Sequence, residues 1–385
     1  MTSILAARNA VGWAFFLNGF LFASWVSRIP EARSALSLGN GGLGLLLLAI
    51  AAGSVLAMPT TGAAIERFGT VPVIRAAGAS ALAGLTMVSV ALESGTVWPA
   101  AVGLFAYGVG TGVWDVAMNV EGAAVERHLG RTVMPRFHAG FSLGTVAGSG
   151  LGAAAVGLGS PVLAHLLPVA AVGFLALLVG SRAFLPDEPP HHDEPRPSAW
   201  GAWREPRTLL IGLMVLALAL TEGVANDWLA LALVDGYGVE HWVGVAGFAV
   251  FVTAMTAGRL GGPVLLDRFG RSPVLWGTMA AAAGGVTLIV VGDHAVLVVL
   301  GIVLWGVGAS LGFPVGMSAA ADEPRRAAAR VSVVSTIGYA AFLAGPPFLG
   351  FVADQVGTLK ALLVVAVVLI PSAAVVPSAR EPRNR

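Results

Sequence analysis

The chain has 385 residues, 56% of them hydrophobic and 11% charged, with a mean hydropathy of +0.83, whereas a soluble globular domain carries about 25% charge. These values exclude a soluble enzyme, and the absence of cysteine removes disulfides, Cys-ligated zinc, iron–sulfur clusters and thiol catalysis. The net charge of +1 says nothing about partners until the charges are placed along the chain; no nucleic-acid partner, cofactor or metal is expected.

A helix crossing the bilayer core takes roughly 20 mostly apolar residues, so twelve spans with short connections need about 300 to 350 residues, which matches this length. Apolar runs broken by charged or Gly/Pro clusters predict spans at 8–30, 40–65, 72–92, 97–125, 134–157, 161–185, 207–234, 242–266, 273–292, 295–320, 328–353 and 358–377. The first run begins at Arg8 with no small-residue cleavage site, which reads as a retained helix and not a signal peptide. The longest polar stretch, Pro186 to Arg207, holds Asp187, Glu188, His191, His192, Asp193, Glu194 and Arg196 among prolines. It reads as a cytoplasmic linker over 186–206 between two six-span bundles, 1–185 and 207–385. His191 to Glu194 read as solvated linker and not as a metal site.

Lys and Arg are retained on the cytoplasmic side of a membrane. With the N-terminus inside, alternate connections collect 19 of the 22 basic residues: Arg8; Arg67 and Arg75; Arg127, Arg131 and Arg136; Arg182, Arg196, Arg204 and Arg207; Arg259, Arg268 and Arg271; Arg325, Arg326 and Arg330; and Arg380, Arg383 and Arg385. Arg28, Arg33 and Lys360 fall outside this set.

The chain repeats itself. Glu66-Arg67-Phe68-Gly69 with Pro72-Val73 recurs 201 residues later as Asp267-Arg268-Phe269-Gly270 with Pro273-Val274. Gly108-Val109-Gly110 recurs as Gly306-Val307-Gly308, and Gly140-Phe141 as Gly338-Tyr339, each at an offset of 198. An offset of six spans, an even number, gives both halves the same orientation, related by an axis along the membrane normal.

With this acidic-Arg-Phe-Gly loop after span 2 and again after span 8, the chain resembles the major facilitator superfamily over its full length. Gly112-Val113-Trp114-Asp115-Val116-Ala117-Met118-Asn119 in span 4 is similar to the fucose:proton symporter branch and its uncharacterised YbjJ-like bacterial inner-membrane relatives. So are Arg28-Ile29-Pro30-Glu31, Phe137 to Gly144 and Gly345 to Gly350. The chain departs from that branch at Val26-Ser27, where the pattern carries a second acid. Drug antiporters of the superfamily differ more: Gly148-Ser149-Gly150 stands in place of their Gly-Pro signature in span 5, and span 4 lacks their Arg. The resemblance implies an all-α membrane protein of two pseudo-symmetric six-helix bundles whose spans 1, 4, 7 and 10 line a central path.

Charge inside a span is costly, by about 2.5 to 3.5 kcal/mol on insertion scales, so each intramembrane acid is a candidate functional group. Asp115 shares a helical stripe with Gly108, Gly112, Asn119 and Gly122, a place for a cavity or for a closely packed neighbour. Glu222 lies near mid-depth in span 7, with Asn226 and Asp227 a turn further on. Asp115 and Glu222 are read as proton-coupling groups, acids with no basic partner inside the spans, and Asp227 as a gating group. Glu121 is expected to pair toward the cytoplasmic end of span 4. Asn18, Asn119, Asn226 and His138 could hydrogen-bond a polar solute, and His138, with an ordinary pKa of about 6.5, also suits proton-linked work. Trp25, Trp228, Trp305, Phe313 and Tyr339 could stack on such a solute, Trp25 and Tyr339 above all. Glu66-Arg67 and Asp267-Arg268 are candidate gating charges. Gly140, Gly144, Gly148 and Gly152, one every four residues, form a small-residue face that lets two helices approach closely and reads as structural; such a face would help span 5 slide or rock against a span of the other half.

These features describe a monomeric secondary transporter of the inner membrane, working with protons on a small polar or amphipathic solute, with proton-antiport efflux as the alternative. They supply neither a catalytic cluster nor the Gly-x4-Gly-Lys-Ser/Thr phosphate loop of an ATPase. Both termini are expected in the cytoplasm: a C-terminal green fluorescent protein fusion should fluoresce, and a C-terminal alkaline phosphatase fusion should be inactive. The opposite pattern would reverse the topology.

Overall fold

The computed structural model describes residues 3–186 and 199–381, all helix and connection among the described residues. The linker charges from Asp187 to Arg196, with His191 and His192, lie outside the described residues, as do Arg383 and Arg385. Twelve helices are long and apolar enough to cross a membrane: α1 Ile4–Val26, α2 Gly41–Phe68, α3 Thr70–Glu93, α4 Val97–Leu129, α5 Met134–Gly157, α6 Val162–Ala183, α7 Pro206–Tyr237, α8 His241–Phe269, α9 Arg271–Val291, α10 Ala295–Ala320, α11 Pro324–Val356 and α12 Thr358–Ala379. Each expected span has its helix. The main difference lies at the first, which stops at Val26 and is followed by a separate short helix, Ile29–Ala35. Pro30 explains the break, since proline favours the first turn of a new helix.

The chain divides into two compact units. Unit 1 comprises 1–130, 137–201 and 324–332; unit 2 comprises 131–136, 202–323 and 333–385. Within unit 1, the Ser332 hydroxyl donates to the Met58 carbonyl. Within unit 2, the Thr132 backbone N–H donates to Asp267 Oδ1 at 3.0 Å.

In unit 1, α4 packs between α2 and α3, and glycines permit the approach. A Cβ on Gly108 would overlap the Ile50 carbonyl of α2, and one on Gly110 would lie 2.6 Å from the Ala81 nitrogen and 2.7 Å from the Ala77 oxygen of α3. Gly84 and Gly103 meet each other's helices in the same way. Unit 2 repeats the device. Gly306 faces the Phe251 carbonyl of α8, Gly308 faces Ala282 of α9, and Gly285 faces Gly301. The sequence repeat at an offset of 198 is thus a repeat of helix contacts. Small residues let backbones approach where no hydrophobic force drives helices together within lipid.

The glycine face of α5 packs on the first helix. Gly140 faces the Gly12 carbonyl at 3.2 Å, Gly144 and Gly148 face the carbonyls of Phe16 and Phe20, and Gly152 faces Ser27. These residues lie on α1 or, for Ser27, at its C-terminal cap, inside unit 1. The face therefore holds α5 to α1 within unit 1, the close helix approach that its composition predicted. Its backbone contacts leave no room for a side chain to follow a movement.

Charges secure the ends of the helices. Asp322, 7% exposed at its side chain, takes Arg207 Nη2 at 2.6 Å and Arg271 Nη1 at 2.7 Å, tying the first turns of α7 and α9 to the end of α10. In unit 1, Glu121 of α4 is buried and accepts the Leu185 backbone N–H at 2.7 Å. At the far end of α1, Arg28 is buried. It donates from Nε to His165 Nδ1 at 3.0 Å and pairs with Glu31 at 2.9 Å.

Adding a methyl at Gly108 or Gly306 forces backbone out of contact, and overpacking of this kind costs typically about 1–3 kcal/mol. Gly108→Ala and Gly306→Ala should each lower the melting temperature of the purified protein, whereas Gly277→Ala, where a Cβ meets nothing within 4 Å, should leave it unchanged or raise it.

Candidate functional sites

In unit 1 the candidate site is built on α4 and α5. Gly108 lies against α2, and a Cβ on Gly112 would lie 2.8 Å from the Ser54 Cα of the same helix. The stripe carrying Asp115 is therefore a packed face, the second of the two possibilities its composition allowed. Asp115 and Asn119 continue that stripe at 5% and 0% exposure. Asn119 Nδ2 donates to the backbone carbonyl of Asp115 at 2.9 Å, so the amide serves the helix and not the carboxylate. That fixes Asn119 Oδ1 as an acceptor, and His138 Nε2 lies 3.1 Å from it, the arrangement of an imidazole N–H donating to an amide oxygen. The His138 ring also packs edge-on to Phe15 of α1, 4.8 Å between centroids. Three predicted residues, Asp115, Asn119 and His138, are thus brought together, and α1 supplies the wall beside them.

Asn18, also on α1, is 5% exposed, and its Nδ2 is buried without a hydrogen-bond partner. Leaving a buried donor unmade costs about 1–3 kcal/mol, so this amide is a candidate ligand group. Trp25 is 1% exposed in the core of unit 1. Arg67 places its guanidinium over its neighbour Phe68, 5.3 Å from the centroid, and Arg268 over Phe269 at 5.1 Å. The two signature loops, Glu66-Arg67 and Asp267-Arg268, thus share a cation–π contact.

In unit 2 the site is built on α7 and α8. Glu222 Oε2 accepts from Arg259 Nη2 at 2.8 Å, with the two side chains 19% and 4% exposed. Arg259 Nε reaches the Ser310 carbonyl at 3.3 Å. Two sequence-based expectations fail here. Arg259 does not belong to a cytoplasmic loop, because it lies ten residues before the end of α8, about 15 Å along the helix. Glu222 accordingly is not an acid without a basic partner inside the spans. The signal was present, since Arg259 falls within the apolar run predicted as span 8, but counting it with the loop arginines hid it.

Just beyond Glu222, residues Ala225–Leu229 form a single π-helical turn, an irregularity frequent at functional sites. It turns Asn226 and Asp227 to the surface of unit 2 and leaves Trp228 half-buried. Tyr339 of α11 packs edge-on between Phe313, at 6.1 Å, and Phe342, at 5.8 Å. Trp305 is fully buried against Phe251. No group of three or more His, Asp or Glu able to hold a metal occurs among the described residues.

The family model of the Major Facilitator Superfamily matches residues 11–340 and 248–385. An uncharacterised transporter of the MFS type from Yersinia pestis is 34% identical over 365 residues, 94% of this chain and 92% of its own. An uncharacterised transporter from Sinorhizobium fredii is 32% identical over 92% of this chain and 93% of its own. Among solved structures, the fucose:proton symporter of E. coli superposes with a TM-score of 0.80, covering 99% of this chain and 100% of that one at 16% identity. At that identity the likeness is one of fold.

Removing one member of a buried ion pair costs about 3–5 kcal/mol, because it strands the other charge. Arg259→Met should therefore destabilise the purified protein markedly. Glu222→Gln combined with Arg259→Met should recover much of the loss, a coupling measured by a double-mutant cycle of melting temperatures.

Proposed function

From the chain's membership of the Major Facilitator Superfamily, whose members are multi-pass membrane transporters and not enzymes, we propose that it carries a small polar or amphipathic solute, sugar-like or another metabolite, across the inner membrane with protons. Two six-span bundles, divided by the 186–206 linker, expose a midplane site alternately to either side. The chain works as a monomer with both termini in the cytoplasm. Symport is the favoured mode, supported by the fucose:proton symporter's fold and by the span 4 residues.

The observation that carries proton coupling is Asp115, a carboxylic acid 5% exposed inside α4, beside the Asn119–His138 hydrogen bond. An acid at that depth is expensive to keep charged, and a carboxyl that gains a proton on one side and loses it on the other repays that cost through work. His138 donates to Asn119 and positions the helix face on which Asp115 sits. Glu222 is the second proton carrier. Asn18, Asn119, Asn226, Trp25 and Tyr339 supply hydrogen bonds and ring faces to the solute. The Glu66-Arg67 and Asp267-Arg268 loops, with Asp227, control opening.

Proteoliposomes loaded with a pH-sensitive dye and challenged with a panel including L-fucose, D-xylose and their sugar acids test this reading. At least one solute should drive proton entry, and Asp115→Asn should reduce that flux by about tenfold or more, an effect on the order of 1.4 kcal/mol in the barrier. Undiminished, still pH-driven transport by Asp115→Asn would remove Asp115 from coupling.

A further inference from the structure

The repeated loop carries different chemistry in the two halves. At the offset of 201 residues Pro273 repeats Pro72, whereas Arg271 and Ser272 stand where unit 1 has Thr70 and Val71. Arg271 and Ser272 open α9, and with Gly270, Trp276, Arg380 and Glu381 they line a cavity of about 380 Å³ at that end of unit 2. Small-ligand sites measure about 300–1,000 Å³.

The wall of this cavity presents donors that lack acceptors. The start of α9 has no side-chain cap. Of its leading amides, Gly270 donates to the Leu266 carbonyl of α8 and Pro273 has no N–H, which leaves the N–H groups of Arg271 and Ser272 without an intrahelical acceptor. The helix dipole adds positive potential at the same point. Ser272 is 6% exposed, and its Oγ is buried without a hydrogen-bond partner. Unit 1 builds its copy of the loop with Val71 at this place, so the loop itself does not require the hydroxyl.

Arginines supply the charge. Arg271 Nη1 is held by Asp322 at 2.7 Å, and its Nε lies 3.8 Å from Glu381 Oε1. Arg380 is exposed, and among the described residues its side chain has no ion pair; its backbone carbonyl accepts from Arg207 Nη2 at 3.1 Å. The cavity and its ion pairs thus set Arg207, Arg271 and Arg380 against Asp322 and Glu381, a surplus of one positive charge. Trp276, just over a turn along α9, forms the wall further in, its indole N–H on the Ala373 carbonyl at 2.9 Å and its side chain partly exposed. Tryptophan collects at the level of lipid headgroups.

We infer that this cavity binds a phosphodiester monoanion, for which the membrane offers the headgroup of an anionic phospholipid on the side proposed as cytoplasmic. The phosphate oxygens accept from the Arg271 and Ser272 N–H groups and the Ser272 hydroxyl and face Arg380, and their single negative charge cancels the surplus. A phosphate dianion overshoots that balance. Glu381 is the competing acid; its side chain is 68% exposed and turns to water as the phosphate enters. Bound there, the phosphate reinforces the place where Asp322 ties α7 and α9 to the end of α10.

The test uses the purified full-length protein in a non-ionic detergent. Dihexanoyl phosphatidylglycerol should raise the melting temperature by roughly 2 °C or more, and dihexanoyl phosphatidylcholine, whose phosphate already has choline as its counter-charge, should not. Ser272→Ala removes an unpaired buried hydroxyl, so without lipid it should melt at or above the wild-type temperature, while its affinity for phosphatidylglycerol falls by about tenfold. Arg380→Gln, at an exposed side chain, should weaken binding likewise and Glu381→Gln should tighten it. Arg182→Gln, an exposed arginine of unit 1, should change nothing. The deacylated headgroup, glycerophosphoglycerol, separates the sources: stabilisation equal to the lipid's supports the site with a soluble phosphodiester as its ligand, and stabilisation by the lipid alone supports it with the membrane as the source. Equal responses of wild type, Ser272→Ala and Arg380→Gln to phosphatidylglycerol would overturn the inference, as would equal stabilisation by phosphatidylcholine or by inorganic phosphate.

Discussion

Glycine against backbone is the constraint on which the rest of this fold depends. In each unit a central helix, α4 or α10, is drawn so close to two neighbours that Gly108, Gly110, Gly306 and Gly308 have no space for a side chain. Lipid offers no hydrophobic reward for helix association, so close van der Waals contact must do that work. The same closeness fixes the rotation of α4, and the rotation decides what Asp115 and Asn119 face. The site in unit 1 is in this sense a consequence of two missing side chains, those of Gly108 and Gly110.

Charge placement obeys a second economy. In unit 2 Asp322 gathers Arg207 and Arg271 where three helices end, and in unit 1 Arg28, just past the end of α1, is neutralised by Glu31 and steadied by His165. These pairs sit where helices stop and bind structure together. Glu222 and Arg259 differ by lying within their helices, joined across α7 and α8 beside a π-helical turn. A buried pair of this kind adds little net stability compared with apolar side chains of similar size, whereas removing one partner alone is costly.

Much of the architecture was legible from residue order. Twelve apolar runs predicted twelve helices because a bilayer admits few alternatives, and the recurrence of Glu66-Arg67-Phe68-Gly69 as Asp267-Arg268-Phe269-Gly270 disclosed the internal repeat before any contact was known. Candidate acids were equally legible, since a charge inside an apolar run stands out. Pairing was not. A basic residue near Asp267 and Arg268 looks like part of their loop cluster, and only helix geometry separates Arg259 from them by about 12 to 14 Å. The small face of α5 likewise announced a close contact but could not name α1 as its partner.

The sequence by itself determined what is local or periodic: the number of membrane-crossing helices, the repeat, the family resemblance and the short list of buried acids. These follow from hydropathy and spacing, which act along the chain. The tertiary structure alone decided which groups meet across it: Asn119 turned to the helix backbone and His138, α5 locked on α1, and above all Glu222 held by Arg259. Such meetings depend on the rotation and approach of separate helices, set by packing between residues far apart in sequence. No reading along a single helix contains that information.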